Sequence, residues 1–171
     1  RRRKSLVMLF SRLGMFVFLP TLAAAWYFYV VATPMYATKA EFVIQQAEPQ
    51  GAAGLGGLFQ GTGMATQQDS TTVQSYLTSR AAMVRLDQDH GFIEHFSDPN
   101  IDAIQRLPEG ATNEDAYGLY QSNVKIGYAP TEGILKMEVI AATPEASQTF
   151  SEALIDYAEE QVDQLTQRLR A

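Results

Sequence analysis

Residues 13–31 run for nineteen positions without one charged side chain, and no later stretch is apolar for so long. At ~1.5 Å per residue a helix over this run spans about 28 Å, close to the hydrocarbon thickness of a bilayer. Beyond it the hydrophobic period changes from segment to segment. Residues 37–46 alternate, with Phe42 and Ile44 on one face, Ala40 and Gln46 extending it and Val43 on the other, which predicts a strand. From Asp69 the period becomes helical. Asp69, Ser70 and Thr71 offer N-caps, and Val73, Tyr76, Leu77 and Val84 fall on one stripe that Ala81 fills. One helix is predicted from Ser70 to about Asp89, stopped by Gly91. Residues 92–109 are mixed, with Pro99 and Pro108 as breakers, and residues 113–121 predict a short helix capped by Thr112 or Asn113.

Residues 123–128 and 134–142 alternate again. Val124, Ile126 and Tyr128 oppose Lys125 and Gly127; Leu135, Met137, Val139 and Ala141 oppose Lys136 and Glu138. Pro130 and Gly133 between the two runs make this a β-hairpin. A lone hairpin needs a third strand, which the 37–46 segment supplies. Phe42, Ile126, Met137, Val139 and Phe150 are the expected core. Thr143-Pro144-Glu145 then combines a capping hydroxyl, Pro at the first helical position and an acid in the first turn. Ala146, Phe150, Leu154, Ala158, Val162, Leu165 and Leu169 follow, the last four spaced as in a coiled-coil seam. No Gly or Asn stop signal stands at Ala171, so the expectation is a helix that continues. Six glycines in positions 51–63 forbid a stable helix or strand there. Leu55, Leu58 and Phe59 in that tract, and Val162, Leu165 and Leu169 on the seam, are candidate contacts between copies.

Together these elements predict an α+β chain: a transmembrane helix (13–33), a small α/β sandwich domain (34–145) with its Gly-rich loop (51–63), and the start of a long, coiled-coil-like exit helix (146–171). Charge adds an orientation. Arg1, Arg2, Arg3, Lys4 and Arg12 precede the apolar run, and Lys39, Glu41 and Glu48 follow it. The positive-inside bias puts residues 1–12 in the cytoplasm and the domain across the membrane. Trp26, Tyr27, Tyr29 and Tyr36 cluster at the far end, where amphipathic rings favour the headgroup level. A cleaved signal peptide would share the basic start and the small residues Ala23, Ala24 and Ala25, but residues 27–31 carry the apolar run well past that site. Arg12 can snorkel, Pro20 frees a carbonyl mid-helix, and the alanines allow close helix approach. Arg12, Pro20, Ala23, Ala24, Trp26 and Tyr29 are therefore candidates for lipid or partner contact. The net charge is −6 overall but about −11 after residue 12, which argues against a nucleic-acid surface on the domain.

Catalytic chemistry finds little purchase. Cysteine is absent, which removes disulfides, thiol nucleophiles and Cys-based metal sites. His90 and His95 are five apart, off the i, i+4 spacing that puts two ligands on one helix face, and read as surface residues. The glycine tract lacks the Gly-Lys-Ser/Thr end of a phosphate loop. Ser70, Ser75 and Ser79 lack a nucleophile elbow, and Glu114-Asp115 and Glu159-Glu160 read as solvated faces. No catalytic, cofactor or metal site is assigned.

The order of segments resembles a known family. The Arg-rich start and apolar helix lead to Tyr-Ala-Thr-x-Ala-Glu-Phe from Tyr36, then Gly-Leu-Gly-Gly-Leu from Gly54, then Val-Gln-Ser-Tyr-Leu-Thr-Ser-Arg from Val73. A hairpin through Gly133-Ile134 leads to Ala-Thr-Pro-Glu-Ala-Ser-Gln from Ala142, and the last helix carries Ala-Glu-Glu-Gln-Val-Asp-Gln-Leu from Ala158. This pattern, spread over nearly the whole chain, resembles the capsule polysaccharide export inner-membrane family, the KpsE/BexC/CtrB type of polysaccharide co-polymerase-like proteins. Ala129-Pro130 departs from it, standing where the family often has an acidic residue. The resemblance implies a non-enzymatic role: a homo-oligomeric ring beside an ABC-type capsule polysaccharide exporter, reaching toward an outer-membrane polysaccharide export protein and helping to carry capsule polysaccharide outward. It also implies a long periplasmic coiled coil and a second membrane span beyond these residues. Two other classes share the architecture, a periplasmic sensor domain of a membrane signalling receptor and an O-antigen chain-length regulator.

Overall fold

A computed structural model of the chain describes residues 2–44 and 64–170. The glycine tract, with Leu55, Leu58 and Phe59, and the predicted end of the first strand at Gln46 lie outside the described residues. Helix α1 (Arg2–Trp26) runs through Pro20 and passes into a wider π turn, Tyr27–Val31. The stretch Arg12–Val31 is long and apolar enough to cross a bilayer. The π turn closes with the Ala32 N–H on the Tyr27 carbonyl at 2.9 Å. Such turns re-aim the side chains that follow them.

The strands are β1 (Tyr36–Phe42), β2 (Val124–Ala129) and β3 (Ile134–Ala141), in an antiparallel sheet of order β1-β3-β2. Tyr36 pairs with Ala141 and Phe42 with Leu135, so β1 starts at the end of the sheet nearest α1 and the β2–β3 turn lies at the other. Gly133, at φ 71°, closes that turn with its N–H on the Ala129 carbonyl at 2.8 Å. The alternation read from sequence sets the faces. Leu135, Met137, Val139 and Ala141 are buried, while Lys39, Lys125 and Lys136 are exposed. Lys39 pairs with Glu138 across the open face at 3.4 Å. Helices pack on the apolar face, which makes the domain two layers.

Those helices are α2 (Met64–Leu77), α3 (Arg80–His90), α4 (Phe92–Phe96), α5 (Asn113–Asn123) and α6 (Pro144–Arg170). Phe92 sits at the centre of the core, its ring 4.9 Å from Phe96 and 5.6 Å from both Tyr120 and Phe150. Met137, Val139 and Phe150 are buried as expected; Phe42 and Ile126 pack against the core from its margin. Ser147, buried on α6, donates to the Val139 carbonyl at 2.9 Å and lies 2.7 Å from the Thr38 hydroxyl, fastening α6 to β3 and β1.

The continuous helix expected from Ser70 to Asp89 is instead two. It begins earlier, at Met64, and breaks at Thr78-Ser79. Ser79 becomes extended and caps α3 by accepting from the Ala82 N–H at 3.3 Å. The break frees carbonyls at the end of α2, and α5 takes two of them: Tyr120 donates to the Leu77 carbonyl and Tyr117 to the Thr78 carbonyl. The predicted stop at Gly91 stands, with φ 66° and its N–H on the Asp87 carbonyl. So does the cap at Thr112, which forms a reciprocal capping box with Asp115.

Candidate functional site

Where α1 leaves its apolar stretch, one carboxylate joins it to the domain. The linker after the π turn is short: Ala32, Thr33 and Pro34 lead to Met35, which already packs on the core. Among the ring-bearing residues of the exit, Trp26, Phe28 and Tyr29 are 63%, 70% and 90% exposed, whereas Tyr27 is turned inward and half-buried. Its hydroxyl donates to Asp102 Oδ1 at 2.5 Å. The same oxygen accepts from the Ile104 N–H at 3.0 Å and, more weakly, the Gln105 N–H at 3.4 Å. Asp102 Oδ2 accepts from the Thr33 N–H at 3.0 Å and from Gln105 Nε2 at 2.7 Å. The contact is reciprocal, for the Asp102 N–H donates to Thr33 Oγ1 at 2.9 Å and Gln105 Nε2 also reaches the Thr33 carbonyl at 3.2 Å.

Asp102 is buried, and burial alone would raise its pKa. The Tyr27 hydroxyl and the amides of Thr33, Ile104 and Gln105 outweigh that and hold the carboxyl down at about 2. It is a pin that stays charged at neutral pH, with hydrogen-bond donors on both oxygens, between the helix exit and the loop after α4. Charge-assisted hydrogen bonds of this kind are the stronger ones. Ring-to-carboxylate and main-chain contacts together fix the helix axis relative to the sheet, because Thr33 is only three residues from the first residue of β1.

A second polar knot ties α3 to α6. The Arg85 guanidinium lies 3.9 Å over the Tyr157 ring and pairs with Glu160 at 2.8 Å and Asp89 at 3.6 Å. Tyr157 donates to Asp89 Oδ2 at 2.6 Å, and burial, then that carboxylate, raise the Tyr157 pKa above its ordinary value. Beside β1, a surface groove of about 520 Å³ runs between the strand edge and α6, lined by Tyr36, Thr38, Ala40, Gln148 and Ile155 among others. Among the described residues every buried side-chain nitrogen and oxygen has a partner.

The residues singled out from sequence fall in three places. Arg12, Pro20, Ala23, Ala24, Trp26 and Tyr29 are all exposed along α1 and its exit, open to lipid or to another chain, and none is brought to the domain. On the exit helix, Ala158 is buried in the domain's own core and Val162 packs against it, so the seam begins as an intramolecular contact; Leu165 is half-buried and Leu169 lies within α6. His95 is not the surface residue expected. Half-buried between Phe96 and Phe150, it accepts the Ala142 N–H at Nε2, 3.2 Å away, and burial lowers its pKa. Tyr27, Thr33, Asp102 and Gln105 escaped sequence reasoning. The one legible hint was Tyr27 within the aromatic cluster at the apolar exit.

Joint, sheet and apolar helix define a small α+β domain carried on an N-terminal helix fit to span a membrane. No family model matches the chain. Curated proteins do. The chain is 31% identical over 159 residues to the capsule polysaccharide export inner-membrane protein CtrB of Neisseria meningitidis, a match covering 90% of this chain and 41% of that protein. It is 28% identical over 162 residues to BexC of Haemophilus influenzae, covering 92% of the chain and 43% of BexC. It is 25% identical over 161 residues to the Vi polysaccharide export inner-membrane protein VexD of Salmonella typhi, covering 93% and 36%. The chain therefore spans less than half the length of these relatives and, over that span, is similar to inner-membrane proteins named for capsule or Vi polysaccharide export, the similarity that the segment order had suggested.

Proposed function

We propose that the chain is the membrane-proximal part of an inner-membrane adaptor for capsule polysaccharide export. Residues 1–12 face the cytoplasm, 13–33 cross the bilayer, 34–145 form a periplasmic domain, and the helix from 146 leads outward into a longer helical region. The observation that carries this reading is the breadth of the match: about 90% of the chain aligns with inner-membrane proteins named for capsule or Vi polysaccharide export. The work proposed is mechanical and involves no bond making. Copies form a closed ring through lateral contacts between domains, beside an ABC-type polysaccharide exporter and below an outer-membrane polysaccharide export protein. Asp102 supports such a role because a ring of periplasmic domains keeps its register with a transporter only if each domain is fixed to its membrane helix. The exposed Ala23 and Ala24 suit close approach by a neighbouring helix.

The test uses the full-length protein. Mild detergent extraction followed by mass photometry, with and without the exporter of the same locus, is expected to give a closed oligomer of more than two copies that co-purifies with the exporter. Deletion of the gene is expected to trap capsule polymer inside the cell. A stable monomer or dimer, with capsule still exported in the deletion strain, would overturn the proposal.

A further inference from the structure

The 98–107 loop carries the most exposed large apolar side chain of the described domain beyond β1. Ile104 is 75% exposed, against 53% for Val43 and 39% for Val84. A lone exposed isoleucine needs no explanation by itself. Its position does. The Ile104 N–H and the Tyr27 hydroxyl donate to the same oxygen, Asp102 Oδ1, so the two donor atoms are no more than about 5.5 Å apart. Tyr27 belongs to the aromatic exit turn of the apolar helix, where rings sit at headgroup depth. The loop is thus held at the level where the helix leaves the bilayer. It is held there rigidly, by Asp102, Thr33 and Gln105, and not by packing of Ile104 on the domain.

We infer that the 98–107 loop docks on the bilayer surface beside the helix exit, with Ile104 inserted at the boundary between headgroups and acyl chains. The occupant of this surface is lipid. Continuity with the exit turn argues for it: Trp26, Phe28 and Tyr29 are exposed around the same level, and a second apolar contact beside them enlarges one interfacial footprint. With two points of attachment, the helix and Ile104, the domain is fixed in tilt as well as in position. This inference rests on the membrane-spanning reading proposed above.

The experiment places single cysteines in the full-length protein, in a background freed of any other cysteine, and labels them with an environment-sensitive fluorophore after reconstitution into liposomes containing lipids with a quencher near the headgroup or deeper in the acyl chain. The three positions are Phe18→Cys within the span, Ile104→Cys in the loop and Glu132→Cys at the far turn of the hairpin. Because interfacial groups sit within ~5–10 Å of the headgroup boundary, Ile104→Cys is expected to be quenched by the shallow quencher about threefold or more above Glu132→Cys. Strong quenching at Phe18→Cys by the deep quencher, with Ile104→Cys no different from Glu132→Cys, overturns the docking and leaves the span intact. No quenching at Phe18→Cys overturns the spanning reading and the docking with it.

Discussion

Asp102 shows how one side chain can hold two parts of a molecule in register, and its titration exposes that role. Its folded pKa of about 2 lies below the ~3.9 of an unperturbed aspartate. The folded state therefore binds fewer protons than the unfolded state between those values. The stability this carboxylate contributes is complete above about pH 4 and is lost as pH falls toward 2. Asp102→Asn is expected to be less stable than the parent at neutral pH, with the difference shrinking across that window, as unfolding in detergent at a series of pH values would read. Tyr27→Phe removes one charge-assisted bond to this carboxylate and is expected to lower stability at neutral pH, as the same unfolding series would read. His95 has the same sign at higher pH. Its lowered pKa makes the folded state resist protonation, so its contribution is present above about pH 6.5 and falls away as pH drops below. The structural reason is that Nε2 must stay unprotonated to accept the Ala142 N–H. NMR titration of the His95 ring should place its midpoint below 6.5.

At the scale of elements, the break between α2 and α3 is the feature that most needs outside support. Leu77 and Thr78 lose helical partners for their carbonyls, and a buried, unpaired carbonyl is costly. Tyr120, buried beneath α2, meets that need with its hydroxyl, and Tyr117 does the same one residue on. Tyr120→Phe keeps the ring and its contact with Phe92 but strands the Leu77 carbonyl. A loss of about 1–3 kcal/mol is expected, measured by urea unfolding of the domain. Thr112→Ala, which breaks the capping box of α5, should cost about 1 kcal/mol by the same measurement. If Tyr120→Phe were neutral, the paired helices would be held by side-chain packing alone.

For the whole molecule, the sheet and α6 form the frame on which the other helices hang. Val139 lies at the middle of the central strand, fully buried, opposite both Thr38 and Val124. Val139→Asp buries an unpaired charge there and should abolish the cooperative thermal transition, as followed by circular dichroism. Orientation is testable at the same scale. The 171 residues contain no cysteine, so one introduced at Gln67 should react with a membrane-impermeant periplasmic reagent and one at Lys4 should not. The reverse pattern would invert the topology on which the export reading depends.

The amino-acid sequence by itself determined whatever depends on near neighbours. The apolar run, the strand faces, the hairpin with Gly133 at its turn, the stop at Gly91 and the Thr112 cap are all legible because period, φ preference and capping act within a few residues. The seam on α6 was legible as a stripe, but a stripe does not name its partner; only the fold showed that Ala158 and Val162 begin it inside the domain's own core. The break at Thr78-Ser79 was invisible because both residues are tolerated in a helix and the hydroxyls that make the break affordable come from about forty residues away, on Tyr117 and Tyr120. The joint at the exit of α1 was hidden for the same reason. Asp102 lies 75 residues from Tyr27 and 69 from Thr33, so no local pattern links them. The fold sets β1 against β3 directly after the linker, and that pairing carries the exit of α1 to the loop where a buried carboxylate waits for its donors.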